Sequence, residues 1–267
     1  MDQEHRDTNR RMWDELAPIH AKSEFYDVPG FLAGMSHLRP FELEEVGDVS
    51  GRSLVHLQCH IGLDTLSWAR EGAKVTGLDF SQPAISAAEE IASQAKLDAH
   101  FVLGDVHHAP EVLQRRFDIV YTGIGALCWL PDITAWAEVV AQLVEPNGIL
   151  YLTEVHPFTD MFGEKDLLVR EHYFDQGVAY RCEDGGTYAG TDVKTEHNLD
   201  FSWTHPVSSV ITALLKVGFV IELFSEHDYT VFRQFETLEH HPEDRTYRFP
   251  DDHPRMPLLY SIRCRKT

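Results

Sequence analysis

The sequence predicts an α/β protein built on a doubly wound, mostly parallel sheet of seven strands with an antiparallel strand at one edge. The first observation behind this prediction is an alternation that begins near residue 53, where short apolar runs are separated by longer segments with apolar residues at helical spacing. The second is a helix followed by two further strands near the C-terminus. Alternating strands and helices form βαβ units, which give a parallel sheet covered by helices on both faces.

The predicted strands are short runs rich in apolar residues, at 53–58, 74–79, 100–104, 117–121, 149–154, 219–224 and 257–264. The predicted helices are 63–71, 83–94, 132–144 and 207–217. Ser81 is placed to cap the helix at 83–94. The turn Pro146-Asn147-Gly148 ends the helix at 132–144. Ligands of such sheets bind outside the carboxyl ends of the strands, so we expect the site there.

Two segments lie outside this alternation. Residues 1–50 form an N-terminal extension with helical periodicity, and they are too short to bury a core of their own. Residues 157–205 interrupt the alternation and carry many aromatic residues. We therefore expect a main domain over 51–267, in which 157–205 is a cap insertion over the sheet edge.

The charge and the cysteines exclude several classes of partner. The chain has 23 Lys and Arg against 43 Asp and Glu, a net charge of −20 with neutral histidines. A surface this acidic repels nucleic-acid phosphates and anionic lipids, and no apolar run reaches the roughly 20 residues that span a bilayer. The N-terminus lacks the apolar centre of a signal peptide, and the four cysteines form no CxxC pair. We expect a cytoplasmic protein with a small-molecule partner, and the sequence leaves the oligomeric state open, a homodimer included.

Three consecutive strand ends carry residues suited to an adenosine group. The loop 58–62 follows the first strand, and Asp79 ends the second, where an acid accepts hydrogen bonds from ribose hydroxyls. Gly104 and Asp105 end the third strand, where a carboxylate can reach an adenine amino group and Val106 can pack beside the ring. The ordered set at consistent spacing is a stronger signal than any one element.

Each of these residues has a plainer alternative. Asp79 could cap the next helix, and Asp105 could be an ordinary loop acid. Gly62, at the end of the first loop, could serve only a tight turn, because glycine is the default residue for such turns.

Five segments, in order along the chain, resemble the motifs of the class I S-adenosylmethionine-dependent methyltransferases: LVHLQCHIG, VTGLDFS, FVLGDV, FDIVYTGIGALCWLPD and LVEPNGILYLTE. The resemblance covers residues 50–155 well and 205–265 loosely, and it is nearest to a bacterial branch of small-molecule methyltransferases with LQCH in the first loop. It implies a Rossmann-like fold, S-adenosyl-L-methionine as cofactor, and an N-terminal helical lid over 1–50 on a methyltransferase domain at 51–267. The implied cofactor-binding residues are Gln58, His60, Gly62, Asp79, Phe80, Gly104, Asp105, Val106 and Thr122.

The first loop departs from the pattern of that family. His56 stands where the family usually has an acid, and Gln58 and His60 replace two of its three glycines. Those glycines normally let the backbone approach the methionine half of the cofactor. We therefore expect Gln58 or His60 to hydrogen-bond the carboxylate or the ribose of the cofactor.

Methyl transfer is a direct displacement, so the protein must align the acceptor with the activated methyl group and exclude water. Two titratable residues lie at the end of the fifth strand: Glu154 is its last residue and His156 follows it. They should point the same way, because they are two apart in an extended segment. His156 is the expected base, since an imidazole titrates near neutral pH, and Glu154 is expected to orient it or to hold the acceptor. The alternative is that Glu154 pairs with the cofactor or with a core group and that His156 only shapes the exit of the chain from the sheet.

Four further residues are candidates for contact with the substrate or with the sulfonium cation: Trp13, His20, Tyr26 and Trp129. Simple packing of aromatic residues on the helix is the alternative for Trp13. Aromatic residues of 157–205 would suit an apolar acceptor, or they form the core of the insertion.

No metal site is expected. His56 and His60 are four apart, but on a strand and a turn they do not face one ion. The adjacent histidine pairs at 107–108 and 240–241 fit no common ligand spacing.

Three functions remain in view. The first is an S-adenosylmethionine-dependent methyltransferase that acts on an O or N atom of a small molecule. The second is a non-catalytic S-adenosylmethionine-binding protein of the same fold, which the missing glycines favour. The third is an NAD-dependent oxidoreductase, since Asp79 suits the ribose of either cofactor, although the first loop lacks G-x-G-x-x-G.

Overall fold

A seven-stranded sheet organises the computed structural model, which describes residues 3–175, 177–190 and 193–267. The strand order is β3-β2-β1-β4-β5-β12-β8; the first five strands pair in parallel, and β12 is antiparallel to both of its neighbours. The predicted fold class is therefore confirmed, including the antiparallel strand near one edge. The order reverses between β1 and β4, and such a switch point opens a crevice at the carboxyl ends of the strands.

The strands of this sheet are β1 Ser53–Leu57, β2 Lys74–Asp79, β3 Ala99–Leu103, β4 Phe117–Thr122, β5 Val144–Val155, β8 Phe219–His227 and β12 Leu259–Lys266. The shorter strands are β6 Tyr180–Cys182, β7 Asp200–Ser202, β9 Tyr229–Thr230, β10 Glu239–His241 and β11 Thr246–Arg248. The helices are α1 Gln3–His20, α2 Val28–Leu32, α3 Pro40–Val46, α4 Leu63–Arg70, α5 Gln82–Ala95, α6 Ala109–Leu113, α7 Ile133–Leu143 and α8 Val207–Lys216.

Local capping sets several of these boundaries. The hydroxyl of Ser81 accepts from the Ala84 amide at the start of α5, and Asp132 accepts from the amides of Thr134 and Ala135 at the start of α7. The strand after α7 begins at Val144, earlier than the sequence predicts, because the chain pairs with Phe117 of β4 as soon as the helix ends.

The sheet is buried on both faces. On one face, Trp136 and Val140 of α7 and Leu214 of α8 pack against Val120 and Leu152 of the sheet. The opposite face is covered by α4 and α5 toward β3, and by α3 and α4 toward β5. Apolar burial of this extent is the main stabilising term of the fold.

The two segments outside the alternation contact one another. The side-chain amide of Asn9 on α1 donates to the Phe201 carbonyl at 2.7 Å and accepts from the Phe201 amide at 2.8 Å. Glu15 accepts from the amides of Glu196 and His197, each at 2.8 Å. The described part of 157–205 is therefore tied to α1, a contact that the sequence analysis did not predict.

Sequence analysis missed a small sheet, of order β10-β11-β9, in the segment between β8 and β12. Its strands are two or three residues long, too short to show a periodicity. Among the described residues, no helix is both long enough and apolar enough to cross a bilayer.

Candidate functional site

A pocket lies at the carboxyl ends of β1, β2 and β3. Six predicted cofactor residues line it: Gln58, Asp79, Phe80, Gly104, Asp105 and Val106. Its other walls include Arg6 and Asn9 of α1, Trp129 and Leu130 after β4, and Trp203 after β7. The switch point of the sheet thus brings most of the predicted cofactor residues together.

Asp79 ends β2 and is buried, with both carboxylate oxygens hydrogen-bonded to backbone. Its Oδ2 accepts from the His60 amide at 2.8 Å, and its Oδ1 accepts from the Ser81 amide at 2.9 Å. Burial raises the pKa of Asp79 to about 6, and the charge of Asp14 adds to the rise, although the backbone hydrogen bonds oppose it. The contact with Ser81 is the capping alternative, but each carboxylate oxygen can accept another bond, so a ligand hydroxyl can still bind.

Asp105 follows β3 and lies under the N-terminal helix. Its Oδ1 accepts from the His107 amide and lies 2.9 Å from Nδ1 of the same histidine, and its Oδ2 lies 3.3 Å from Arg6 of α1. Burial acts to raise the pKa of Asp105, but the hydrogen bonds from His107 and the charge of Arg6 outweigh it and lower the pKa to about 2. Asp105 is therefore an anion at neutral pH and a fixed acceptor beside Val106.

The first loop holds two residues other than glycine in the left-handed conformation, Gln58 at φ 57° and His60 at φ 49°. The side-chain amide of Gln58 donates to the Ala126 carbonyl at 2.9 Å, and its Oε1 is buried with no partner among the described residues. Because Oε1 can only accept, the free atom of Gln58 suits a hydroxyl or an ammonium group, and not the cofactor carboxylate that the sequence analysis also allowed.

Gly62 serves packing. Its φ is 77°, and a Cβ at this position would lie 2.8 Å from the Cβ of Ala88 and from the ring of Phe101. Glycine is needed here because the backbone is left-handed and because a side chain would prevent α4 from starting against α5 and β3, a packing reason that the sequence analysis did not name. Thr122 is fully buried at the end of β4, and its Oγ1 has no partner among the described residues.

Glu154 has a different role from the predicted catalytic one. Its Oε1 accepts from the amides of Gly125 and Val155, and its Oε2 accepts from the amides of Ala126 and Leu127, at 2.6–2.8 Å. All four acceptor positions of the carboxylate are thus occupied by backbone. Glu154 fixes the turn after β4, so it is a positioning residue for one wall of the pocket.

His156 is also engaged elsewhere. Its Nε2 lies 3.1 Å from Oε1 of Glu226 on β8, and its Nδ1 accepts from the Phe158 amide at 3.1 Å. Burial lowers the pKa of His156, and Glu226 partly restores it. The expected pair of Glu154 and His156 does not form, because the two side chains bind different partners. Neither has a free catalytic atom beside the pocket.

The four predicted substrate residues do come together, around His60. The ring of Trp13 lies edge-on to Trp129, at 5.4 Å between centroids, and edge-on to His60 at 5.2 Å. His20 stacks on Tyr26 at 5.1 Å, and its Nδ1 lies 2.9 Å from Nε2 of His60. We call these five residues the aromatic cluster.

The aromatic cluster is tied to the insertion. His20 is fully buried, and its Nε2 lies 2.6 Å from the Thr187 hydroxyl, while the hydroxyls of Tyr26 and Tyr188 are hydrogen-bonded. Burial lowers the pKa of His20 to about 4, so this ring is neutral at pH 7. Neutral rings do not repel a sulfonium cation, and aromatic faces attract one.

Sequence reasoning missed Arg6, Asn9 and Asp14 of α1. Arg6 and Asn9 line the pocket, and Asp14 acts electrostatically on Asp79. All three lie on a polar helix whose sequence, apart from the spacing relative to Trp13, does not indicate which residues face the pocket. Only the packing of α1 across the strand ends reveals them. Among the described residues, no group of three or more His, Cys, Asp or Glu is arranged to hold a metal ion.

The switch-point pocket and the mostly parallel sheet with antiparallel β12 define a class I methyltransferase fold. Comparison with known proteins agrees: residues 55–150 match the family model described as a methyltransferase domain. This match supports the resemblance to the class I S-adenosylmethionine-dependent methyltransferases, and it lies over the segment that supplies most of the residues lining the pocket.

Several of the similar proteins are named as methyltransferases. The chain is 27% identical over 148 residues to a ubiquinone biosynthesis O-methyltransferase of Cronobacter sakazakii, a match that covers 54% of this chain and 60% of the relative. An S-adenosylmethionine-dependent methyltransferase of Mesorhizobium loti shares the fold with a TM-score of 0.60 and 21% identity, over 88% of this chain and 100% of that one. A glycopeptide N-methyltransferase complexed with S-adenosylmethionine gives a TM-score of 0.55 and 15% identity, over 85% of this chain and 92% of that one. At these identities the two structures show the fold alone.

Proposed function

We propose that this protein is an S-adenosylmethionine-dependent methyltransferase that transfers a methyl group to an O or N atom of a small molecule. The observation that carries the proposal is the pocket in which Asp79 and Asp105, at the ends of adjacent strands, face the same space beneath α1. The relative from Cronobacter sakazakii, named for O-methylation in ubiquinone biosynthesis, supports a small acceptor.

The residues present fit the methyl donor. Asp79 would accept from the ribose hydroxyls, and Asp105 would accept from the adenine amino group, with Val106 and Phe80 beside the ring. The buried, unpartnered Oε1 of Gln58 offers one more acceptor to the hydroxyls or the ammonium of the ligand. When bound, the cofactor supplies a methyl group that is already activated on a sulfonium centre.

The protein's part is alignment and exclusion of water. In this proposal residues 1–50 act as the lid, because α1 lies across the pocket and is hydrogen-bonded to the described part of 157–205. The aromatic cluster would face the sulfonium and guide the acceptor. The hydroxyl contact between Tyr26 and Tyr188 joins the two segments beside this cluster.

Titration calorimetry tests this proposal. S-adenosylhomocysteine should bind, and NAD should not bind at comparable concentration. Asp79→Asn should weaken S-adenosylhomocysteine binding at least tenfold, about 1.5 kcal/mol, because ribose hydroxyls lose a charged acceptor.

Asp98→Asn is the matched control, since Asp98 is exposed just before β3 and outside the pocket. Tighter binding of NAD than of S-adenosylhomocysteine would overturn the assignment. Equal affinity in Asp79→Asn and the wild type would place the adenosine elsewhere.

A further inference from the structure

Two polar side chains converge on Gly123, the first residue after β4. A Cβ at this glycine would lie 3.2 Å from Nε2 of His56 on β1 and 3.4 Å from Oδ2 of Asp64 on α4. The backbone of Gly123 is not left-handed, so its conformation does not itself require glycine. The missing side chain leaves a space between an imidazole nitrogen and a carboxylate oxygen, which we call the Gly123 gap.

His56 presents an N–H group to the Gly123 gap. The residue is 4% exposed, and its Nδ1 lies 2.8 Å from the hydroxyl of the fully buried Thr65. Burial lowers the pKa of His56 to about 3, so the ring is neutral at pH 7 and carries a single N–H. Within the described ranges Thr65 makes no other hydrogen bond, so its hydroxyl donates to Nδ1 and the ring hydrogen is on Nε2. That N–H has no acceptor in the same part of the chain.

Asp64 presents an acceptor to the same gap. In the part of the chain that the structure describes, its carboxylate makes no hydrogen bond or ion pair, and it is too far from Nε2 of His56 to bond it directly. Burial raises the pKa of Asp64 to about 6, and the charge of Arg39 opposes the rise. The neighbouring Tyr121 and Glu42 are hydrogen-bonded to each other at 2.6 Å. Asp64 is therefore an anion at pH 7.5 with free acceptor positions.

The Gly123 gap lies beside the adenosine pocket. Strands β1 and β4 are parallel neighbours, and Leu57 stands opposite Thr122, so Gly123 follows next to Gln58. Gln58 lines the pocket, and its side-chain amide donates to the Ala126 carbonyl of the turn that Gly123 begins. A group held in the gap would therefore be adjacent to a ligand in the pocket, at the switch point of the sheet.

We propose that His56 Nε2 and Asp64 Oδ2 hold the hydroxyl group of the methyl acceptor, and that the atom methylated is oxygen. This inference rests on the proposed function. A hydroxyl oxygen accepts from the Nε2–H group while its own hydrogen is donated to Oδ2, which satisfies both atoms. A neutral amine has a single lone pair, and the Nε2–H group would occupy the pair that must attack the methyl group. A hydroxyl oxygen keeps a second lone pair for that attack.

The proton of the acceptor then has a defined destination. As the O–CH3 bond forms, the O–H bond breaks and its proton moves to Oδ2 of Asp64, while the electron pair of the S–CH3 bond remains on sulfur. The Nε2–H group of His56 continues to hydrogen-bond the reacting oxygen. These residues would replace the predicted pair Glu154 and His156, whose polar atoms bind other partners.

Two analogues of the methyl donor test this inference without a known acceptor. Both are S-adenosylhomocysteine with a nitrogen atom in place of sulfur; one carries a 2-hydroxyethyl group on that nitrogen, and the other carries a propyl group of similar size and the same charge. Titration calorimetry on the full wild-type chain should show that the hydroxyethyl analogue binds at least about tenfold more tightly, because its hydroxyl reaches the Gly123 gap.

Two variants assign that preference to the gap. Gly123→Ala fills the gap with a methyl group, and Asp64→Asn removes the charge of the acceptor and keeps its size. In each, the ratio of the two affinities should fall to about threefold or less, with S-adenosylhomocysteine bound within about twofold of the wild type. Gly185→Ala is the matched control, because this exposed glycine lies outside the pocket and its Cβ would be similarly crowded, 3.1 Å from Asn198. Asp98→Asn is the control for Asp64→Asn.

The inference is overturned if the wild type binds the two analogues equally, or if either variant keeps the wild-type ratio. It is also overturned if the variants weaken S-adenosylhomocysteine as much as the hydroxyethyl analogue, since that result describes a structural role. Asp64→Asn decides alone if Gly123→Ala fails to fold. Tighter binding of a 2-aminoethyl analogue than of the hydroxyethyl one would overturn the choice of oxygen. Absence of S-adenosylhomocysteine binding to the wild type would instead contradict the proposed function, and this inference with it.

Discussion

At the scale of single residues, the site depends on how each carboxylate is satisfied. Asp79 and Asp105 use part of their capacity on the backbone or on neighbouring side chains and still face the pocket. Glu154 uses all of its hydrogen-bond acceptor positions on four backbone amides, so its carboxylate has none left for a ligand. Residue type alone does not distinguish these cases, because an acid at a strand end can bind a ligand or hold a loop.

Glu154→Gln should therefore affect stability. The amide of glutamine has one oxygen where the carboxylate has two, so two buried backbone N–H groups lose their acceptor. We expect a loss of about 2–4 kcal/mol in the free energy of unfolding, measured by urea denaturation monitored by circular dichroism. Glu138→Gln, on the exposed side of α7, should change it by less than about 0.5 kcal/mol. An unchanged stability in Glu154→Gln would show that the turn after β4 does not need this carboxylate.

At the scale of elements, short helices outside the main alternation hold the sheet and the pocket together. Glu42 of α3 accepts from the Tyr121 hydroxyl at 2.6 Å and from the Arg39 amide at 2.8 Å, and Glu45 accepts from the Tyr151 hydroxyl at 2.7 Å. Both tyrosines stand on neighbouring strands, so α3 is fastened across β4 and β5. The longer helix α1 is fastened in the same way to the insertion through Asn9.

The attachment of α3 predicts a pH dependence. Burial raises the pKa of Glu42 to about 7, so the folded protein binds a proton that the unfolded chain, with a pKa near 4.5, releases. The contribution of this group to stability is full below pH 4.5 and falls as the pH rises to about 7. In Glu42→Gln this loss of stability with rising pH should not occur, because the glutamine side chain does not titrate. The difference in unfolding free energy between Glu42→Gln and the wild type should therefore change by about 2–4 kcal/mol between pH 4.5 and 7.5.

Thermal and urea unfolding across this pH range measure the effect. Glu44→Gln is the control, since Glu44 is exposed on the same helix. If the wild type and Glu42→Gln differ by the same amount at every pH, then Glu42 is ionised throughout and its burial is offset by Tyr121 and Arg39.

At the scale of the whole molecule, the main electrostatic feature is the net charge of −20. The surface carries most of the acids, while the core of the sheet is apolar on both faces. Like charges at this density repel one another, and folding brings them closer together. The acidic surface also matches a ligand that carries cationic groups, which the proposed methyl donor does.

Added salt should stabilise the protein. Between 10 mM and 150 mM NaCl at pH 7.5, screening reduces the self-repulsion of the folded state, because the Debye length falls from about 30 Å to about 8 Å. We expect the melting temperature to rise by a few degrees, which for a chain of this size corresponds to about 1 kcal/mol. A melting temperature that is constant or falls over this range would show that the local ion pairs, and not the net charge, dominate the surface electrostatics.

The sheet, the position of the pocket and the acids that face it could all be predicted from the sequence. These follow from local signals: alternating apolar runs, the Ser81 and Asp132 caps, and acids at strand ends, each of which acts within a few residues. The tertiary structure alone decided which side chains remain free. Glu154 lies near the end of β5 and His156 follows that strand, yet they bind the turn after β4 and Glu226 of β8, which lie far off along the chain. The lid contacts of Asn9 and His20 have the same origin, because hydrogen-bond partners across a fold are set by packing and not by spacing along the chain.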